Sequence, residues 1–142
     1  MTTRREHILD AVKSAISATA GVDGRVYRSR VTALTRAESP AILLSWASET
    51  SSQVTSLATL DHTLEIQVAV IVRGDTPDEV ADPIVESLHG LLMADTSLGG
   101  YASDVVPTST SNENFEADQP GGVITASYQV IYRTSNNNLA TL

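Results

Sequence analysis

Apolar residues recur along this chain with two different periods, and each change of period marks a change of element. Ile8, Leu9, Val12, Ala15, Ile16 and Thr19 fall on one arc at a spacing of 3.6, which predicts an amphipathic helix. Thr3 and Glu6 stand at capping-box spacing before it, and Gly21 is placed to end it. After the Asp23-Gly24 turn, Val26 and Tyr27 suggest a short strand over residues 25–31, with Arg28 and Arg30 on one of its faces. Pro40 opens a second strand, Ala41 to Ser48. Residues 49–58 are polar and weakly patterned, and read as a loop.

Leu60 to Arg73 alternates strictly. Leu60, His62, Leu64, Ile66, Val68, Val70 and Val72 form one face of this strand, and Asp61, Thr63, Glu65, Gln67, Ala69, Ile71 and Arg73 form the other. At about 3.3 Å per residue it would be on the order of 40 Å long, the kind of strand that often projects as a hairpin. The period then returns to 3.6. Thr76 is the expected N-cap, Pro77 sits at N1, and Glu79 completes a second capping box. Val80, Ala81, Ile84, Val85, Leu88, Leu91 and Leu92 make the predicted core arc, and Pro83 lies inside the helix, where it removes one hydrogen bond.

Ala102 to Thr110 is a strand candidate that contains Pro107, which points to a sheet edge. Residues 111–122 read as a loop. Val123 to Thr134 closes the pattern, with Ile124, Ala126, Tyr128, Val130 and Tyr132 on one face. The predicted fold class is α+β: a mostly antiparallel β-sheet of about four or five strands, packed by two helices on one face, in the order α-β-β-β-α-β-β. One domain over residues 1–134 and a flexible C-terminal tail over 135–142 are expected.

Composition narrows the chemistry. The 142 residues contain no cysteine, which excludes disulfide frameworks, zinc-thiolate sites and thiol catalysis. No signal-peptide pattern and no apolar run of spanning length is visible, so the expectation is a soluble protein assembled in the cytoplasm. The formal net charge is −8, a poor basis for general nucleic-acid binding. That charge is uneven. Residues 1–36 hold seven basic side chains against three acidic ones, and residues 37–142 hold two against fourteen. Arg25, Arg28, Arg30 and Arg36 are the basic cluster. Opposite charge on different parts of one chain favours self-association or a complementary partner over nucleic acid.

Candidate catalytic groups are few. Asp61 points away from His62, so the two make no dyad within their strand, and His62 reads best as a strand-end or interface histidine. His7 reads as a surface residue. Asp78, Asp82, Glu86 and His89 lie along one stripe of the second helix. Glu86 and His89 have the Glu-x-x-His spacing of di-iron bundles, but this chain lacks the further helices such a site requires. The stripe reads as a solvated face or a subunit contact. Glu113 and Glu116 form an acidic pair in a loop with no apolar pocket to shift a pKa. No nucleophile elbow, Walker loop or dinucleotide fingerprint occurs. A hydrolase using His62 or His89 is the weakest reading; no enzyme activity, metal or cofactor is expected.

Several segments together resemble the tail-terminator (minor tail protein U-like) family of long-tailed bacteriophages and prophages. They are the helix Arg5-Glu6-His7-Ile8-Leu9-Asp10-Ala11-Val12, the Gly24-Arg25-Val26-Tyr27 turn and strand, Glu38-Ser39-Pro40-Ala41-Ile42-Leu43-Leu44, Leu64 to Val70, Thr76-Pro77-Asp78-Glu79, and Ala126 to Tyr132. The resemblance lies in element order, length and local flavour. It implies a virion subunit forming a homo-hexameric ring in the neck region of the tail. Its partners would be further copies of itself, the tail-tube protein and the head–tail connector protein, with DNA passing through the ring without specific binding and no membrane involved. Another head–tail adaptor or tail-completion protein, or a small tail-tube-related protein, is the neighbouring reading. The family carries no catalytic residues. Arg25, Arg28, Arg30, Arg36, Asp78, Asp82 and Glu86 are the expected subunit or partner interface, as positive and negative halves of a heterologous contact.

Overall fold

A computed structural model of the chain describes residues 2–28, 39–53, 56–115 and 120–141. Its elements are α1 (Arg4–Ile16), β1 (Val26–Arg28), β2 (Ala41–Ser52), β3 (Thr59–Arg73), α2 (Pro77–Met93), β4 (Asp104–Phe115) and β5 (Gly121–Ser135). The fold is α+β in the predicted order. One five-stranded sheet runs β1-β2-β3-β5-β4, antiparallel throughout except for the short parallel pair β1–β2.

The sheet buries one face beneath both helices. Leu64, Ile66, Val68, Val70 and Val72 of β3 point into the core with Ala126, Tyr128 and Val130 of β5. Ile8, Leu9, Val12 and Ile16 of α1 and Ala81, Ile84, Leu88 and Leu92 of α2 meet them. Alternation in the strands and 3.6 spacing in the helices thus converge on one hydrophobic layer.

β3 has the predicted length but does not project. It pairs along its length with β5, from Thr59↔Ser135 to Arg73↔Gly121, and with β2 on its other side. A strand at the centre of a sheet satisfies its backbone groups on both edges, so its length is spent inside the fold. Both expected loops shrink. Residues 49–52 continue β2 as far as Ser52, and 111–115 continue β4. Edge strand β4 bulges between Pro107 and Ser109, where the proline interrupts the ladder.

The helix ends depart from the sequence signals. Thr3 caps α1, its hydroxyl accepting from Glu6 N–H at 3.2 Å. The Glu6 carboxylate turns to Arg28 and does not reach back in a capping box. α1 stops at Ile16 with Ser17 as its C-cap, so Thr19 and Gly21 lie beyond it. The Thr19 hydroxyl donates to Ile16 C=O and occupies that open carbonyl. Thr76 makes no side-chain cap to α2, and Pro77, which has no N–H to satisfy, begins the helix. Val80 is exposed and not part of the core arc. Gly122 lets α2 start close to the sheet, because a Cβ there would stand 2.9 Å from Pro77 Cβ.

Residues 135–141 make backbone hydrogen bonds among themselves and to the rest of the chain. Ser135 N–H donates to Thr141 C=O, Asn136 N–H to Ala58 C=O, and Arg4 N–H to Leu139 C=O. These bonds hold the last residues against the start of α1 and the β2–β3 connection.

Candidate functional site

The predicted interface residues divide into two groups with different surroundings. Arg28 forks between two carboxylates of α1, Glu6 Oε1 at 2.7 Å and Asp10 Oδ1 at 2.9 Å. Glu6 and Asp10 are one helical turn apart and face β1, so one guanidinium bridges both. The Arg28 hydrogen bond holds the Glu6 carboxyl below the usual carboxylate range. Arg25 donates from Nε to Pro40 C=O at 2.8 Å and lies 3.5 Å from Asp23. These two arginines are therefore engaged within the chain. Arg30 and Arg36 lie outside the described residues, as does Glu116.

The acidic group borders a groove. Asp82, Val85, Glu86 and His89 of α2 form one wall, and Pro107, Ser109 and Thr110 of β4 form the other. Ala126, Ser127 and Tyr128 of β5 complete a hollow of about 430 Å³. A second hollow, lined by Asp78, Glu79, Asp82, Asn112 and Ile124, adjoins it through Asp82. The acidic stripe thus overlooks edge strand β4. At its end, His89 Nδ1 is 2.9 Å from the Tyr128 hydroxyl, with the two rings stacked. Burial raises the Tyr128 pKa, which keeps that hydroxyl protonated. Among the described residues, no group of three or more histidines and carboxylates has metal-binding geometry.

His62 sits in a polar cluster on the helix-covered face. It is 2% exposed, with Ser51 Oγ 2.7 Å from Nδ1 and Thr134 Oγ1 2.8 Å from Nε2. Thr134 gives its hydroxyl proton to Ser135 C=O, so it accepts from Nε2–H, and Nδ1 accepts from Ser51. Tyr132 stacks on the ring and donates its hydroxyl to Glu49. Glu49 Oε2 receives Arg5 of α1 at 3.1 Å, and Arg5 also lies over the Trp46 ring. Burial first, and the Glu49 carboxylate second, push the Tyr132 phenol far above its ordinary pKa. The cluster is a fastener between α1 and the far ends of β2, β3 and β5. His62 is a hydrogen-bonded core histidine, and His7 is half-buried and stacked on Tyr101.

Sequence reasoning missed Glu49 and Tyr132 as partners. The signal lay in the period of β2: beyond its bulge, Glu49 and Ser51 take the inward positions that apolar residues hold elsewhere. Among the described residues, no helix covers the opposite face of the sheet. Asp61 pairs there with Arg133 at 2.6 Å beside Glu65, Gln67 and Gln129, and Val106 and Ile131 are exposed on it.

Architecture and surface define a two-layer α+β domain with both described helices on one sheet face and an acidic groove at one edge. Comparison with solved structures places this fold beside a chain from the virion of a native gene transfer agent particle. The TM-score is 0.60 at 11% identity, over 87% of this chain and 93% of that one. Likeness at that identity establishes a shared fold. No protein-family model matches the chain, and no curated protein matches it.

Proposed function

We propose that this chain is a structural protein of a phage or phage-like virion. In the sharper form of this reading, it forms a ring that caps the tail tube, ends tube polymerisation and joins the tube to the head connector. The observation that carries the proposal is a fold shared with a virion chain over nearly the whole of both molecules. The tail-terminator resemblance in the sequence supports the specific role. The surface suits it as well: a sheet with two different edges gives heterologous contacts by which copies can close into a ring. The role asks for rigid surfaces and needs no catalytic group. Its partners are further copies of the chain, the tube protein and the connector, at the neck of the tail. Acidic subunits around a channel would let DNA pass by repulsion.

The test is assembly. Native mass spectrometry and negative-stain imaging should find closed rings, and rings added to growing tail tubes should sit on tube ends and stop elongation. Rings that join the head side but leave tube growth unchanged would favour a head–tail adaptor. A protein that stays monomeric at high concentration and never decorates tubes would sink the proposal. Basic side chains lining the channel would remove the account of DNA passage.

A further inference from the structure

The sheet has an open edge at each end. Among the described residues, β4 has β5 on one side and no strand on the other. Every residue from Val106 to Asn114 is exposed. At the opposite end, β1 pairs with β2 only from Ile42 to Leu44, and β2 continues to Ser52. Between Ser45 and Ser52 every residue except Glu49 is exposed. Thr63, Glu65 and Gln67 of β3, which has a strand on both sides, are half-buried by contrast. Alternate N–H and C=O groups of an edge strand point away from its sheet and are open to pairing with another strand.

Edges are commonly blunted by lysine, proline, bulges or shortness. β4 carries a proline and a bulge, but both lie between Pro107 and Ser109. From Ser109 to Phe115 it has no lysine, arginine or proline, and its one charge is Glu113. β2 bulges between Trp46 and Ser48, and from Ser48 to Ser52 its ladder with β3 is regular. The one charge on that run is Glu49, which is turned inward to Arg5 and Tyr132. Two regular, nearly neutral edge segments are thus left unguarded.

Strand direction decides which edges can meet. β2, β3, β5 and β4 lie side by side, each antiparallel to the last, so β4 runs opposite to β2. If a second copy stands beside the first in the same sense, its β2 is antiparallel to the first copy's β4. The alternation then continues across the junction. One edge meets a different edge, so the contact repeats from copy to copy, as a ring requires. β1 already holds β2 up to Leu44, so the copies must be staggered along the strands, and closing a sheet on itself needs such a stagger. Two β4 edges meeting about a twofold axis would instead bring Asp78 and Asp82 of both copies together, since these acids stand beside Asn112 of β4.

Trp46 marks the same edge. It is the chain's one tryptophan and is 43% exposed, with the Arg5 guanidinium 4.7 Å from its ring centre. A large ring held in place yet left in water suits a contact surface.

We propose that the β4 edge of one copy pairs antiparallel with the Ser48–Ser52 edge of β2 in a second copy, joining the two sheets and covering Trp46. The inference rests on the self-association in the ring reading and names the strands that carry it.

The test exploits the absence of cysteine. Full-length chains carry one substitution each: Ser109→Cys, Ser111→Cys or Glu113→Cys in β4, and Ser48→Cys, Thr50→Cys or Ser52→Cys in β2. All six positions lie on the sheet face away from the described helices. Chains are mixed in pairs, assembled, oxidised and run on a non-reducing gel. Directly opposed positions have Cβ atoms about 4.5–5.5 Å apart, close enough for a disulfide after a small adjustment. Ser111→Cys should link to one β2 position, and each step of two residues up β4 should be matched by a step of two down β2. Trp46 emission of the wild type should shift to shorter wavelength as oligomers form. Oligomers that give no link between the two sets overturn the inference and leave the ring reading intact. Links whose numbers rise together on both strands, or β4 variants that link only to their own kind, also overturn it. So does Trp46 emission that stays fixed on assembly. A wild type that never self-associates overturns the ring reading itself.

Discussion

Removing one oxygen from Tyr132 tests whether the buried polar cluster holds α1 to the sheet. Tyr132→Phe keeps the ring stacked on His62 and deletes only the hydroxyl that donates to Glu49. The Glu49 side chain is only 12% exposed, so little water can replace the lost donor. Hydrogen bonds to charged groups contribute about 1.5–3 kcal/mol. Glu49 keeps Arg5 at 3.1 Å after the change, which places the expected loss at the lower end, about 1.5 kcal/mol. With an m-value of roughly 1.5–2 kcal/mol/M, the urea midpoint should fall by a little under about 1 M. The assay is urea unfolding followed by circular dichroism, run also in a Glu49→Leu background. There the Tyr132 hydroxyl has already lost its acceptor, and the same substitution should be neutral or stabilising. A loss below about 0.5 kcal/mol in the wild-type background, or an equal loss in both backgrounds, would refute the reasoning.

The remaining predictions probe other parts of the same layer. Glu6 has a depressed pKa, so its pairing with Arg28 adds stability above the ordinary carboxylate pKa, and that stability is lost as pH falls through the lowered value. Arg28→Met should flatten the acid limb of a stability–pH curve; an unchanged limb would count against the fork. Tyr128 and Tyr132 have raised pKa values, so stability present below the ordinary tyrosine pKa should fall as pH rises above it. Absorbance at 295 nm should show both phenols ionising late, together with unfolding. Leu88→Ala removes a fully buried side chain of α2 and should cost about 2–5 kcal/mol by thermal or urea unfolding. Gly122→Ala puts a methyl group 2.9 Å from Pro77 Cβ, so β5 or the start of α2 must shift, at about 1–3 kcal/mol.

Where the inward positions of an element are apolar, its place was legible in the sequence. β3 was predicted to within a residue of its observed bounds, because every second position from Leu64 to Val72 enters the core. α2 was legible for the same reason, apart from Val80. The pattern failed where inward positions are polar or where neither face is covered. The last part of β2 turns Glu49 and Ser51 inward to Tyr132 and His62, which erases the apolar alternation. Residues 106–114 of β4 are exposed on both faces, and an edge strand of Ser, Thr and Asn reads like a loop. The parallel pairing of β1 depends on where the chain re-enters at Pro40, which periodicity does not encode. The acids of α2 were found as a stripe, but not as the wall of a groove, because periodicity does not say which strand lies beside a helix. The arginines were grouped by sequence proximity, and only coordinates could show that Arg28 is spent on Glu6 and Asp10.

Both ends of the helical layer are fixed before any partner arrives. Arg5, Glu49 and Tyr132 fasten α1 to the far end of the sheet. At the other end, Pro77 rests on Gly122, and Leu88 and Leu92 fill the core beneath α2. The acidic stripe and the β4 wall therefore stand at a set separation. A preformed surface spares a partner the cost of ordering its receptor, so binding energy goes to the contact itself. The consequence is measurable by hydrogen exchange. Amides of α2 and β5 should be as protected in an isolated subunit as in an assembled one, and new protection should be confined to the surfaces that meet the next copy. Weak protection of α2 in the isolated subunit, gained only on assembly, would mean that the surface is made by its partner.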